Sequence, residues 1–185
     1  LLINNESFKE RAEIIREKGT NRASFQRGEK AKYTWQDLGS SFLPGELIAA
    51  FLYAQLIEIE KITQKKRELW YSYFKGLKGL EEKGYIQMPQ IPSSCHHNGH
   101  LFYILLKDEK TRGELINFLK GYGIQSVFHY IPLHSSPAGV RYGRKSGLLD
   151  KTEDISARIL RLPSWTEFQN TEVVISCIYD FFHLP

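Results

Sequence analysis

The chain has 185 residues, of which 42% are hydrophobic and 25% are charged, and its formal net charge is +4. This composition is typical of a globular protein with ample core. The sequence has no apolar run long enough to cross a bilayer and no basic arm for nucleic acid. Its two cysteines provide no disulfide framework and fit a reducing compartment.

The chain begins with the residues LLIN, and its only methionine is Met88. LLIN is typical of the end of a buried strand, so we expect the chain to be part of a longer protein. A helix is predicted over residues 6–18, with a polar cap before it and Gly19 after it. Residues 19–45 show little periodicity and are predicted to be mostly loop.

Residues 45–83 carry the strongest helix signal. Their first half is apolar nearly all round, which predicts deep burial. An unbroken helix of this length would reach about 55 Å, more than the diameter of about 40 Å expected for a compact chain of this size. The helix must therefore bend near Gly76 and Gly79 or bridge two lobes, and we favour a bridge. The apolar face of residues 46–57 needs cover from the remainder of the large domain or from a partner subunit, so we expect dimers or higher oligomers, or association with the N-terminal half.

The remainder alternates strand and helix patterns behind a proline-rich connection over residues 84–99. The patterns predict strands over 100–107, 124–129 and 159–162 and helices over 110–122, 151–159 and 170–183. We therefore expect two parts, residues 1–83 and a small α/β domain over residues 84–185.

One histidine-rich stretch suggests a zinc site. Four candidate ligands lie close together: Cys95, His96, His97 and His100. Adjacent histidines tend to point apart, and structural zinc sites draw ligand pairs from separated segments, so we favour a polar loop and expect no metal. Residues 61–67 (KITQKKR) are basic but flanked by glutamates, which indicates a solvated helix face rather than a nucleic-acid patch.

Two other positions are candidates for ligand binding. The segment His129–His134 (HYIPLH) follows a predicted strand directly, where open α/β sheets place ligand groups. Its histidines and tyrosine supply donors, acceptors and a proton shuttle near neutral pH. Ser41 lies just before the long helix, where backbone N–H groups favour an anion such as phosphate. For the segment His129–His134 the alternative is a loop whose histidines bond backbone groups. For Ser41 the alternative is ordinary helix capping.

Four segments together resemble the DegT/StrS family of nucleotide-sugar aminotransferases: REKGTNR (16–22), YTWQDLGSSFLPGELIAAFLYAQL (33–56), INFLKGYGIQSVFHYIPLHSSPAG (116–139) and RILRLP (158–163). The resemblance covers essentially the whole chain. It implies an α/β fold, the fold-type I architecture of pyridoxal-phosphate (PLP) transferases. This chain would be its C-terminal part, with the end of the large domain and a long bridging helix in 1–83 and the small α/β lobe in 84–185.

The resemblance also implies an activity. A cytoplasmic homodimer with shared active sites would move an amino group, expected to come from glutamate, to the C4 ketone of a TDP-4-keto-6-deoxyhexose. The product would enter a cell-surface polysaccharide such as enterobacterial common antigen or O-antigen. The Schiff-base lysine is expected upstream of Leu1, so these residues alone would be inactive. The alternative is a stand-alone, non-catalytic dimerisation or ligand-binding module.

Individual site residues follow from the same resemblance. Ser41 takes the place of a family asparagine that reaches the PLP phosphate of the neighbouring subunit, with a shorter side chain. His134 matches a histidine that faces the sugar nucleotide. Four further residues are expected beside that site or at its mouth: His129, Tyr130, Asn21 and Arg22. Arg161 is expected to be structural.

Overall fold

The computed structural model describes residues 1–184, which belong to two compact units, Leu1–Glu58 and Ile59–Pro185. The packing division follows Glu58, whereas the sequence predicts a division after residue 83. The helical residues after Glu58 pack with the second unit, which accounts for this difference. No helix in the part of the chain described is long and apolar enough to span a membrane.

The first unit is helical. A 3₁₀ turn, Glu6–Phe8, leads into α1 (Lys9–Arg16), which is followed by α2 (Arg22–Gln26) and α3 (Glu46–Ile57). The turn begins at Asn5, whose Oδ1 accepts a hydrogen bond from the N–H of Ser7 at 3.0 Å. Such caps satisfy N–H groups that a helix start leaves without partners. The first helix therefore lies where the sequence predicts it.

The segment 19–45 folds back on the residues that follow α1. Two isolated antiparallel bridges hold it: Glu17 with Ser41, and Thr20 with Trp35. Gly19 has a φ of +75°, and a Cβ there would meet the carbonyl oxygen of Asp37 at 1.7 Å, so this position requires glycine. The loop prediction is wrong for α2, whose five residues are too few to show periodicity.

The helix α3 has no buried residue, and all of its residues except Ala49 are exposed. Leu47, Phe51 and Ile57 are 88%, 69% and 64% exposed. The prediction of deep burial is therefore wrong within this chain. The sequence pattern indicates correctly that the helix is apolar on every side, but the first unit contains no element that covers it.

The long bridging helix expected over residues 45–83 is not continuous. Glu58 leaves the helical conformation with φ −95° and ψ 11°, and separates α3 from α4 (Ile59–Gly76). A second break at Leu77 precedes α5 (Lys78–Glu82). A break near Gly76, which the sequence allowed as the alternative to a bridge, is thus present. The further break at Glu58 was not expected, because no glycine or proline lies there.

The second unit is a small sheet with helices. Its elements after α5 are β1 (Phe102–Leu105), α6 (Glu109–Gly121), β2 (Val127–Phe128), α7 (Pro137–Tyr142), α8 (Asp150–Arg158), β3 (Ile159–Leu162) and α9 (Thr171–Phe181). The strands pair in the order β1-β3-β2, and β3 is antiparallel to both neighbours. The strand predicted over 124–129 is reduced to β2, and α7 lies in a segment predicted as loop.

The core of this unit lies on one face of the sheet. Phe102 and Ile104 of β1 and Leu160 and Leu162 of β3 are buried, as the period of two in a strand requires. From the helices, α4 contributes Tyr73, which is fully buried. Other buried helical core residues are Leu69, Trp70, Leu80, Leu115, Leu119, Val174 and Ile178.

The hydroxyl group of Tyr73 also forms a hydrogen bond inside this core. Its hydroxyl donates to the carbonyl oxygen of Pro163 at 3.0 Å. Burial raises the pKa of the Tyr73 phenol well above its ordinary value of 10.0, so the group stays neutral. The bond joins α4 to the chain just after β3.

The antiparallel pairing changes the reason for considering the segment His129–His134. The rule that ligands bind beyond the carboxyl ends of strands applies to open parallel sheets. It cannot be applied here, because β3 is antiparallel to β2 and lies between β2 and β1. The case for this segment must come from its own contacts.

Candidate functional site

The segment His129–His134 is fastened to α8 by two contacts. The hydroxyl of Ser156 donates to the carbonyl oxygen of Tyr130 at 3.2 Å. Nε2 of His134 lies 2.7 Å from Oε1 of Glu153, which forms an ion pair when the imidazole is protonated. Glu153 and Ser156 are three residues apart and share one face of α8. One helix therefore holds both ends of this segment.

A close backbone contact with α7 restricts the same segment. Ser136 caps α7 by accepting the N–H of Gly139 on its hydroxyl at 3.1 Å. A Cβ on Gly139 would meet the carbonyl oxygen of Leu133 at 1.5 Å. Only glycine permits this approach, so Gly139 fixes the backbone immediately before His134.

His129 and Tyr130 keep polar atoms unused. Nδ1 of His129 is buried and, within residues 1–184, has no hydrogen-bond partner. Its ring lies edge-on to the Tyr130 ring with centroids 5.2 Å apart, and Tyr130 is 77% exposed. A buried ring nitrogen without a partner costs about 1–3 kcal/mol, which a water or a ligand would recover. These two side chains can therefore accept a polar ligand without breaking an existing bond.

A basic depression adjoins His134. It has a volume of about 820 Å³, and its lining includes His134, Glu153, Arg144 and Lys145. Arg144 and Lys145 are exposed, and neither forms an ion pair with another described residue. The depression has a net positive charge, because Arg144 and Lys145 outnumber the single carboxylate of Glu153, which already contacts His134. It is suited to an anionic ligand.

Arg161 is a further candidate for ligand binding, although the sequence indicates a structural role. Strand alternation puts it on the face of β3 opposite the buried Leu160 and Leu162. Its guanidinium carbon lies 5.9 Å from the centroid of the Tyr130 ring, and its Nε is buried without a partner in the described chain. It lines a groove of about 730 Å³ whose described lining residues include no acid. The alternation of β3 was the signal that could have identified it.

The site residues predicted in the first unit already serve that unit. Oδ1 of Asn21 accepts the N–H of Thr34 at 2.8 Å. Nη1 of Arg22 lies 3.1 Å from Oε1 of Glu17, whose side chain is only 11% exposed. Ser41 forms its backbone bridge with the same Glu17, and its residue is exposed. Glu17 thus brings Arg22 and Ser41 together, and the Ser41 hydroxyl is left for a ligand.

The histidine-rich stretch has a structural explanation. His97 packs its ring 4.5 Å from Trp70, its Nε2 is 3.2 Å from the hydroxyl of Tyr71, and its Nδ1 accepts the N–H of Gly99 at 3.3 Å. Both ring nitrogens are therefore engaged. Across residues 1–184, no three side chains of the metal-binding types come together as a site.

The chain is similar to known nucleotide-sugar aminotransferases. The dTDP-3-amino-3,4,6-trideoxy-alpha-D-glucose transaminase of Streptomyces venezuelae is 26% identical over 137 residues, covering 74% of this chain and 35% of that protein. The GDP-perosamine synthase of Vibrio cholerae is 28% identical over 157 residues, covering 82% of this chain and 41% of that protein.

The fold is shared with solved aminotransferase structures. Streptomyces venezuelae DesV, in complex with a ketimine intermediate, gives a TM-score of 0.79 at 24% identity, over 97% of this chain and 45% of that one. The chain thus spans less than half the length of these relatives.

A family model matches nearly the whole chain. Residues 1–179 match the DegT/DnrJ/EryC1/StrS aminotransferase family. Aminotransferases of this family are PLP-dependent, and solved structures of this fold include a PLP form and a PMP form. The resemblance inferred from the sequence motifs is confirmed. The chain belongs to the DegT/DnrJ/EryC1/StrS aminotransferase family.

Proposed function

We propose that the protein carrying these residues is a PLP-dependent aminotransferase that acts on a nucleotide sugar. It takes an amino group from glutamate and delivers it to the C4 ketone of a TDP-4-keto-6-deoxyhexose. The product serves a cell-surface polysaccharide, such as enterobacterial common antigen or O-antigen, and is made in the cytoplasm. Family membership supports the reaction class. Two relatives, named as a dTDP-aminosugar transaminase and a GDP-perosamine synthase, support the substrate class.

The observation that carries this proposal is the basic depression beside His134. A nucleotide sugar differs from most small substrates in its diphosphate, which needs cations or N–H donors. Arg144 and Lys145 provide two such cations at the rim, free of carboxylate partners among the described residues. His134 and the neighbouring Tyr130 supply groups that bond sugar hydroxyls.

The strength of this attraction depends on solvent exposure. Two unit charges 4 Å apart attract by about 1 kcal/mol in bulk water and about 4 kcal/mol near a protein surface. Since Arg144 and Lys145 are exposed, the lower end of this range applies, and salt weakens the attraction further. The pair therefore suits reversible capture of a diphosphate, with sugar selection left to the less exposed His134.

In the first unit, Ser41 is suited to contact the phosphate group of PLP. Ser41 is exposed and its hydroxyl can donate to a phosphate oxygen, whereas Oδ1 of Asn21 and Nη1 of Arg22 already bond Thr34 and Glu17. When bound, PLP supplies an electron sink for the amino-group exchange. We propose that Ser41 contacts the phosphate and that another part of the whole protein provides the Schiff-base lysine. His134 and Tyr130 orient the sugar.

The exposed helix α3 supports a homodimer whose subunits share each active site. Its apolar side chains are large and half or more exposed: Leu47, Ile48, Phe51, Leu52, Tyr53, Leu56 and Ile57. Burying one such side chain fully stabilises by about 1.5–3 kcal/mol, so covering this helix gives a strong drive for association. A Ser41 that lies just before α3 is then near the interface and can serve the cofactor of the partner subunit.

The two half-reactions test the proposal in the whole protein. PLP reduction to the amine form by glutamate, and its return with the keto-sugar nucleotide, are followed separately by cofactor absorbance. Replacing both rim cations (Arg144→Gln with Lys145→Gln) should raise the KM for the sugar nucleotide about 10- to 30-fold, because each lost contact of an exposed cation is worth about 0.7–1 kcal/mol. The glutamate half-reaction should be unchanged.

A control variant removes the same charge elsewhere in the second unit. Lys107 and Lys120 are exposed and lie outside the depression, so Lys107→Gln with Lys120→Gln should leave both half-reactions intact. An unchanged KM in the rim variant would contradict a role for the depression. A protein that binds the sugar nucleotide but never exchanges the amino group would instead support the non-catalytic module.

A further inference from the structure

Glu153 contacts His134, the histidine expected to face the sugar nucleotide, and shares a cavity with His129. Its Oε1 is 2.7 Å from Nε2 of His134, and it lines a small cavity of about 340 Å³ together with His129. The His134 side chain is only 14% exposed, whereas that of Glu153 is 50% exposed. The contact is thus shielded on the histidine side, which makes the orientation of that ring depend on its partner.

The carboxylate decides which nitrogen of His134 carries hydrogen. An ionised carboxylate accepts hydrogen bonds and cannot donate them. Nε2 of His134 therefore carries a hydrogen in both the neutral and the charged ring. In the neutral ring the other nitrogen, Nδ1, then keeps a lone pair and can only accept. Within residues 1–184, Nδ1 of His134 has no partner.

A second contact from the same helix face defines where this ring is held. Ser156, one turn after Glu153, bonds the carbonyl oxygen of Tyr130 at 3.2 Å. Nη1 of Arg112 in turn donates to the carbonyl oxygen of Ser156 at 3.1 Å, which anchors α8 to α6. The segment from Tyr130 to His134 is therefore attached to a helix that is itself fixed to the second unit.

We propose that Glu153 is a positioning residue for the sugar site. It holds His134 with Nε2–H towards α8 and leaves Nδ1 as a hydrogen-bond acceptor for a hydroxyl of the bound sugar. The proposal deepens the proposed function and rests on it for the identity of that sugar. Glu153 itself does not contact the substrate and acts entirely through His134.

Imidazole nitrogen spectra test the proposal independently of activity. In the whole protein at alkaline pH, where free imidazole is neutral, long-range proton–nitrogen correlations distinguish a protonated ring nitrogen from an unprotonated one. We expect a single form for His134, with hydrogen on Nε2. Glu153→Gln should give a mixture of both forms, because an amide can donate as well as accept. Glu153→Asp, which keeps a carboxylate, should shift the mixture back towards the Nε2–H form.

Asp150 provides a matched control. It lies with Glu153 in the first turn of α8, is exposed, and lines neither cavity, so Asp150→Asn removes the same charge from the same helix end. It should leave the His134 form unchanged. Glu153→Gln should also raise the KM for the sugar nucleotide about 5- to 10-fold while the glutamate half-reaction stays the same, a split that a general loss of stability would not produce.

The outcomes separate this proposal from the proposed function. A wild-type His134 that carries its hydrogen on Nδ1, or a Glu153→Gln variant that keeps the single Nε2–H form, overturns the positioning role. If the spectra behave as expected but the whole protein forms no aminosugar, the positioning role stands and the proposed function fails.

Discussion

The predicted site residues of the two units differ in what their polar atoms already do. In the first unit, Oδ1 of Asn21 and Nη1 of Arg22 already bond Thr34 and Glu17. In the second unit, Nδ1 of His129 is buried without a partner in the described residues. The resemblance to the family implies a site role for both groups. We therefore expect a loop motif to bind a ligand where the fold leaves its polar atoms unsatisfied.

The largest effect should come from Gly139, because it tests whether the second-unit segment is rigidly held. Gly139→Ala puts a Cβ against the carbonyl oxygen of Leu133, which is backbone and cannot rotate away. We expect the free energy of unfolding of the second unit to fall by about 2–3 kcal/mol, as in overpacked cores. Urea denaturation measures this. The KM for the sugar nucleotide should rise more than tenfold as His134 is displaced.

A glycine in open space provides the control. Gly113 lies inside α6 and has no neighbouring heavy atom near the position of an added Cβ. Gly113→Ala should stabilise by about 0.5–1 kcal/mol through helix propensity. If Gly139→Ala were tolerated as well as Gly113→Ala, the segment would not be restricted as the structure indicates.

A smaller effect should follow from the first unit, where the comparison predicts a structural role. Arg22→Ala leaves the carboxylate of Glu17, which is largely buried, without its cation. Because Arg22 itself is 45% exposed, we expect a loss of about 1–2 kcal/mol rather than the larger cost of a fully buried pair. Arg16→Ala, at an exposed neighbour with no ion pair among the described residues, should cost far less. A substrate-binding role would instead appear as a raised KM with unchanged stability.

The fold was predictable from sequence where the signal is local. The helices α6, α8 and α9 and the strand β3 lie within one or two residues of their predictions, since periodicity and caps such as Asp108 determine them. The break at Glu58, the short α2 and the exposure of α3 could not be predicted. Each depends on which other elements are packed nearby, and no local pattern records that.

The site was only partly predictable for the same reason. His129, Tyr130 and His134 stay predictions, and the structure gives them suitable surroundings. Glu153 and Ser156 were missed, although their three-residue spacing puts them on one helix face. What the sequence could not supply is the placement of α8 against that segment, since loop conformation decides it.

The smallest expected effect concerns His97, the residue whose ring nitrogens are both engaged in structure. Burial, followed by the nearby charge of Arg67, lowers the pKa of His97 below its ordinary 6.5. The unfolded chain therefore binds a proton more readily than the folded one, so stability is complete above about pH 6.5 and falls as the pH drops below it.

Urea midpoints measured from about pH 7 to about pH 5 should show this decline, and His97→Gln should remove that part of it. His96→Gln, at the exposed neighbour, should keep the decline. If His97→Gln retained the full pH dependence, the pKa of His97 would not be lower in the folded protein than in the unfolded chain, and this prediction would be wrong.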